Sequence, residues 1–178
     1  MDTLDSAPDT GGSAPQHPAH HRWAFWGAAA AVVTADQATK ALIRTFMDRG
    51  ETWPSDDWPV CLKYVTNTGA AFGILEDQTL FLTVMAVIGL AAIYIYYRYP
   101  PFQHWVATLA IGMMLGGAVG NLIDRILDGR VTDFVDFPRF PAFNVADSSI
   151  TVGVAIIILG YLFLEARKDT PAPVDADG

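Results

Sequence analysis

Charge is what this sequence has least of. Asp, Glu, Lys and Arg together make up 17% of its 178 residues while 52% are apolar, and an ordinary soluble domain carries roughly a quarter charged residues. Mean hydropathy stays at +0.28 although both ends are polar, so the middle is far more apolar than the average and disorder of the whole chain is excluded. Positive charge is scarcer still: 11 Lys and Arg against 19 Asp and Glu leave a net charge of -8. Nucleic-acid affinity rests on basic residues that neutralise phosphates, so that class is excluded too. A single cysteine, Cys61, excludes an internal disulfide framework and a multi-thiolate metal site.

What the sequence does have is long uncharged runs. Residues 79–97, 105–123 and 148–164 reach or approach the ~20 residues a helix needs to cross ~30 Å of hydrocarbon. A fourth run, 23–43, crosses only by carrying Asp36 and Lys40, and its polar lead with one arginine fits a cleavable signal peptide poorly. Residues 1–22 and 167–178 lack the apolar surface to order themselves and are expected to be disordered tails. The expected fold class is an α-helical integral membrane protein with four transmembrane helices.

Four crossings put both termini and the short 98–103 connection on one face, with the long connections 44–78 and 125–146 opposite. Residues 60–65 alternate as a short strand, and Asn67-Thr68-Gly69 signals a turn able to close a small hairpin, so a modest β platform on the bundle is expected. His17, His20, His21 and His104 fall on the termini face and no His-Glu-x-x-His occurs, which excludes a zinc protease or a Ser–His hydrolase on the other face. Gly-x-Gly-Asp is also missing. Arg22, Arg98, Arg167 and Lys168 fall on the termini face and Arg44, Arg49, Lys63, Arg125, Arg130 and Arg139 on the other, so the positive-inside rule gives no support for cytoplasmic termini and slightly favours the reverse.

Ionisable groups in or at the edge of a span are costly and each needs a reason. Asp124 closes the third run and Asp147 opens the fourth; antiparallel spans bring both carboxylates to one face at similar depth. Each has an asparagine three residues earlier, Asn121 and Asn144, a spacing that shares a helix face. Two carboxylates about 4 Å apart at an effective dielectric near 20 repel by roughly 4 kcal/mol, so a pair holds one proton near neutrality, as acid/base hydrolysis requires. The helix ends favour Asp124 as the protonated acid and Asp147 as the ionised base. Plainer roles stay open: Asp147 as an N-cap, Asp124 in an ion pair with Arg125 or Arg130.

Asp36 and Lys40, four apart, read as a buried tie between helices. Asn67-Thr68-Gly69-Ala70-Ala71-Phe72-Gly73 has the small residues and the amide to meet an extended peptide, or is a plain turn. Gly112, Gly116, Gly117 and Gly120 allow close helix packing. Asp128, Asp133 and Asp136 assemble with Asp124 into a cation site only on paper; irregularly spaced loop carboxylates read as solvated, and no metal is expected. A proton-relaying transporter would need a polar pathway through the bilayer, and the third and fourth runs have almost no polar residues toward the termini face. A non-catalytic assembly factor would tolerate replacement of both aspartates.

The ordered motifs Asp36-Gln37-Ala38-Thr39-Lys40, Asn67-Thr68-Gly69-Ala70-Ala71-Phe72-Gly73, Gly117-Ala118-Val119-Gly120-Asn121-Leu122-Ile123-Asp124-Arg125 and Phe143-Asn144-Val145-Ala146-Asp147-Ser148-Ser149-Ile150 resemble the lipoprotein signal peptidase family, signal peptidase II, over about residues 23–166. The resemblance implies a bacterial intramembrane aspartyl endopeptidase that removes the signal peptide of prolipoproteins before a diacylglyceryl-modified cysteine. It implies Asp124 and Asp147 as the catalytic dyad, Asn67, Gly69, Asn121, Arg125 and Asn144 lining or supporting the site, and Asp36 and Lys40 holding the first span. It further implies a four-helix bundle with a small extracytoplasmic β-cradle, cytoplasmic termini, a place in the cytoplasmic membrane and no metal; no cofactor is expected, and a monomer is the expected state. The acidic N-terminal lead departs from the family's compact pattern.

Overall fold

The computed structural model describes residues 19–55, 58–69, 75, 78–100 and 104–168. Of the expected tails, residues 1–18 and 169–178 lie outside them, whereas 19–22 and 167–168 are helical, as parts of the first and last helices; the Ala70-Ala71-Phe72-Gly73 half of the asparagine motif also lies outside. Among the described residues the order is α1 (Ala19–Phe46), β1 (Thr52–Trp53), β2 (Cys61–Asn67), α2 (Thr79–Arg98), α3 (Trp105–Asp128), β3 (Val131–Phe137), β4 (Phe140–Phe143) and α4 (Val145–Lys168). The expected combination of long helices with a small sheet is present.

Among the described residues three helices, α2, α3 and α4, are long and apolar enough to cross a membrane. The expected fourth, α1, is 28 residues long but its apolar run is broken by Asp36, Gln37 and Lys40. The residues it buries, His21, Phe25, Ala29, Asp36, Lys40 and Ile43, recur at spacings of three, four and seven, which is one face of a helix. That face packs on α3, whose glycines let the backbones meet. A Cβ on Gly116 would lie 2.6 Å from the Ala29 carbonyl oxygen, and one on Gly120 would lie 2.5 Å from Asp36 Oδ2; Gly117 meets the Ala146 carbonyl of α4 in the same way. Close helix packing is the role read for these glycines from the sequence.

The third helix runs one turn past the expected end at Asp124, to Asp128, and stops where Gly129 takes a left-handed conformation at φ 69° and donates its N–H to the Arg125 carbonyl. Asp124 is therefore an interior residue of α3. The four strands form an antiparallel sheet in sequence order. Its central pairing joins Asn67 to Val131, far away in the chain; Asn67-Thr68-Gly69 closes no hairpin among the described residues and instead makes a side-chain turn, with Gly69 N–H donating to Asn67 Oδ1 at 2.8 Å. Tyr64 of β2 and Phe134 of β3 bury against Ile43 of α1. This contact seats the sheet over the α1–α3 end of the helices and brings β3 beside Asp124 and the start of α4.

Candidate active site

Lys40 is fully buried and its three ammonium protons are all taken. Nζ lies 2.8 Å from Asp36 Oδ2 and 3.1 Å from Asp124 Oδ2, and it donates to Asn121 Oδ1 at 2.9 Å. The sequence pairing of Asp36 with Lys40 is present, extended to a second helix. Asp36 also uses Oδ1 to accept the Ala146 N–H at 3.0 Å, so an anion sits at the positive end of α4. Asp124 is 1% exposed. Its Oδ2 accepts the Thr132 N–H at 3.0 Å besides Lys40. Its Oδ1 accepts Gln37 Nε2 at 3.2 Å and faces Arg44 NH2 at 2.9 Å. Arg44 in turn donates from Nε to Thr132 Oγ1 at 2.8 Å and approaches Asp128 at 3.6 Å.

Two hydrogen bonds, from Gln37 and the Thr132 N–H, and two cations, Lys40 and Arg44, crowd the two oxygens of Asp124 and leave it little to offer a water molecule. The cations beside it come from α1, and neither Arg125 nor Arg130 is among these partners. The expectation that Asp124 is a protonated catalytic acid conflicts with this geometry, because its carboxylate is saturated by donors and lies outside the adjoining cavity. Asp124 does not stand at a helix end, since α3 continues to Asp128, and Lys40 and Arg44 offset whatever the dipole costs.

That cavity, about 560 Å³, has Asn67, Asn121, Arg125, Asp133 and Asp147 on its polar side and Gly69 at its edge. Asp147 begins α4 in a reciprocal cap: its N–H donates to Asn144 Oδ1 at 2.9 Å, and its Oδ2 accepts the Asn144 N–H at 3.3 Å. Asn144 is thus the cap and Asp147 the third residue of the box, the mirror of the simple N-cap role considered for Asp147. Asp147 Oδ1 accepts Asn121 Nδ2 at 2.7 Å.

Asp133, read from the sequence as a solvated loop carboxylate, is 3% exposed on β3. Its Oδ1 accepts Asn144 Nδ2 at 2.7 Å and its Oδ2 accepts Asn67 Nδ2 at 3.0 Å. Asn144 therefore holds both cavity carboxylates: its side-chain amide donates to Asp133 and its backbone N–H donates to Asp147 Oδ2, while its Oδ1 accepts the Asp147 N–H. Among the described residues no cation is hydrogen-bonded to Asp133. Burial, reinforced by the negative charge of Asp147, pushes its carboxyl up to about 7 against the pull of Asn67 and Asn144. Asp128 faces Arg44 and Asp136 faces Cys61, so the acidic residues of this region are dispersed. Among the described residues no group of three or more His, Cys, Asp or Glu is placed to hold a metal ion.

The sequence missed Asp133, Gln37 and Arg44. The signal for Asp133 was Val131-Thr132-Asp133-Phe134-Val135, a carboxylate in the middle of a β-branched and aromatic run, which a solvated loop does not produce.

A family model described as Signal peptidase (SPase) II matches residues 28–163. The chain is 44% identical over 142 residues to a lipoprotein signal peptidase of Symbiobacterium thermophilum, covering 78% of this chain and 93% of that one. It is 48% identical over 140 residues to a lipoprotein signal peptidase of Caldanaerobacter subterraneus subsp. tengcongensis, covering 75% and 90%. A solved structure described as a bacterial membrane enzyme determined by the in meso method at 2.3 Å resolution matches with a TM-score of 0.74 and 34% identity, over 83% of this chain and 92% of that chain. A second, at 1.9 Å, matches with a TM-score of 0.69 and 37% identity over 80% and 92%.

Proposed function

The chain belongs to the signal peptidase II family, and we propose that it removes signal peptides from prolipoproteins by cutting before a diacylglyceryl-modified cysteine with Asp133 and Asp147 as its acid/base pair. Family membership makes it a membrane-embedded bacterial peptidase that cleaves prolipoprotein signal peptides. The observation that carries the choice of residues is that Asp133 and Asp147 line one cavity and are both held by Asn144, whereas Asp124 is enclosed by donors.

Burial beside a second negative charge favours a proton on Asp133 at neutral pH, which makes it the acid and Asp147 the base. In the first step Asp147 takes a proton from water, the water oxygen bonds to the scissile carbonyl carbon, and the Asp133 proton moves to the carbonyl oxygen. In the second, the proton on Asp147 passes to the cysteine nitrogen as the C–N bond breaks, and Asp133 recovers a proton from the collapsing diol. Asn121 and Asn144 hold Asp147 in its orientation, and Arg125 offers a cation to the peptide carbonyls.

In this reading α1 is the fourth span, its buried charges neutralised by Lys40 and Arg44 against Asp36 and Asp124. The sheet end faces outward from the cytoplasmic membrane, the termini lie in the cytoplasm, and a monomer suffices because the cavity is lined by one chain. The test incubates purified protein with a diacylglyceryl-modified precursor and its unmodified counterpart. The modified precursor alone is cut, giving a product that begins at the lipid-bearing cysteine by mass spectrometry, and Asp133→Asn and Asp147→Asn each abolish cutting while the protein remains folded. Near-normal turnover by Asp133→Asn would sink the assignment.

A further inference from the structure

Hydrolysis uses the polar side of the cavity and leaves its apolar wall without a task. That wall is the β3–β4 hairpin, where Phe140 and Phe143 line the cavity. Phe143 stacks on Phe137 with centroids 5.8 Å and planes 4° apart, and Phe140 meets Phe143 edge to face at 5.9 Å. Cross-strand pairing sets Phe137 opposite Phe140. Phe140 and Phe143 are an odd number of residues apart and would point to opposite faces of a regular strand. The register shift between the Val135–Phe143 and Phe137–Phe140 pairs turns the third ring onto the same ledge.

The ledge is open, with Phe140 56% and Phe137 37% exposed. Across the cavity stand Ser148, Thr151 and Val152 of α4, and further along that membrane-length helix Val154, Ile158 and Leu162 are exposed as well. The cavity thus lies between the carboxylates and an apolar helix flank suited to lipid. Phe143 is the immediate neighbour of Asn144, so whatever rests on the rings is in register with Asp133 and Asp147.

We propose that Phe137, Phe140 and Phe143 form the surface that holds the acyl chains of the substrate's lipid-modified cysteine. The proposal rests on the substrate reading above and assigns the residues that read the lipid. Stacked rings present apolar faces and edges to methylene chains, and chains seated there place the cysteine amide over the two aspartates.

The test uses three precursor peptides of one sequence, with palmitoyl chains, hexanoyl chains or no lipid on the cysteine. The wild type prefers the palmitoyl form. Phe140→Ala and Phe143→Ala raise KM for it about tenfold, more than they lower kcat, and shrink the palmitoyl-to-hexanoyl preference; Phe140→Leu restores most of it. An unchanged preference, or an equal loss on the unlipidated peptide, overturns the proposal, the latter by showing that the rings hold a peptide side chain. Should an alanine variant shift β4 and depress kcat, affinity for the palmitoyl peptide in an Asp147→Asn background decides: equal binding with and without Phe140→Ala overturns the proposal. Failure of the substrate reading is separate, since the wild type would then cut the unlipidated peptide as fast as the lipidated ones.

Discussion

Asp124 and Asp133 are both buried, 1% and 3% exposed, on segments that touch, yet their surroundings differ in kind. The cluster around Asp124 sets two carboxylates, Asp36 and Asp124, against two cations, Lys40 and Arg44, with each buried oxygen accepting at least one donor. The centre around Asp133 sets two carboxylates against the neutral amides of Asn67, Asn121 and Asn144, with one cation, Arg125, lining the same open cavity. Balanced charge saturated by donors makes a structural tie; unbalanced charge beside space for water makes a reactive pair. Asn121 joins the two: it accepts from Lys40 and donates to Asp147, so the tie also fixes the orientation of the pair.

Removing one member of the balanced cluster sharpens the contrast most. Lys40→Met leaves two buried carboxylates facing each other without their shared cation and is expected to destabilise the fold by about 3–5 kcal/mol, read as a loss of thermal stability in detergent. Asp147→Asn, which keeps the reciprocal cap in shape, abolishes turnover with little change in that stability. A Lys40→Met protein as stable as the wild type would break the comparison.

The reactive centre predicts its own pH response. A carboxyl raised to about 7 in the fold keeps its proton where the unfolded chain, near 3.9, has lost it. Its stabilising contribution is complete below about 3.9 and fades as pH rises through about 7. Wild-type protein is therefore expected to lose stability relative to Asp133→Asn across that window, and kcat/KM to fall above pH 7 as the acid ionises; parallel melting curves at every pH would count against it. The smallest effect lies at the rim of the cluster: Asp128, half exposed and 3.6 Å from Arg44, contributes under about 1 kcal/mol, so Asp128→Asn leaves both stability and turnover nearly unchanged.

The apolar runs marked α2, α3 and α4 in the sequence because hydrocarbon length is a local property, and Asp147 with Asn144 was legible because capping is local too. Asp36 with Lys40 was legible as a spacing of four. Asp124 was read as a helix-end carboxylate because the end of α3 was set one turn early, and its ion pairs were hidden because Lys40 and Arg44 reach it from the far side of the chain. Asp133 was missed for the same reason: its burial depends on β2 pairing with β3, Asn67 beside Val131, and no local spacing shows that two segments so distant lie together. Acidic neighbours at 128 and 136 made it look like one of a solvated series.

The central claim, that the proton used near neutrality resides on Asp133 in the cavity pair, is tested most directly by infrared spectroscopy of the reconstituted protein. The account predicts a protonated-carboxyl stretch that fades with a midpoint near pH 7 and is absent from Asp133→Asn. The same band, with the same midpoint, surviving in Asp133→Asn would contradict it.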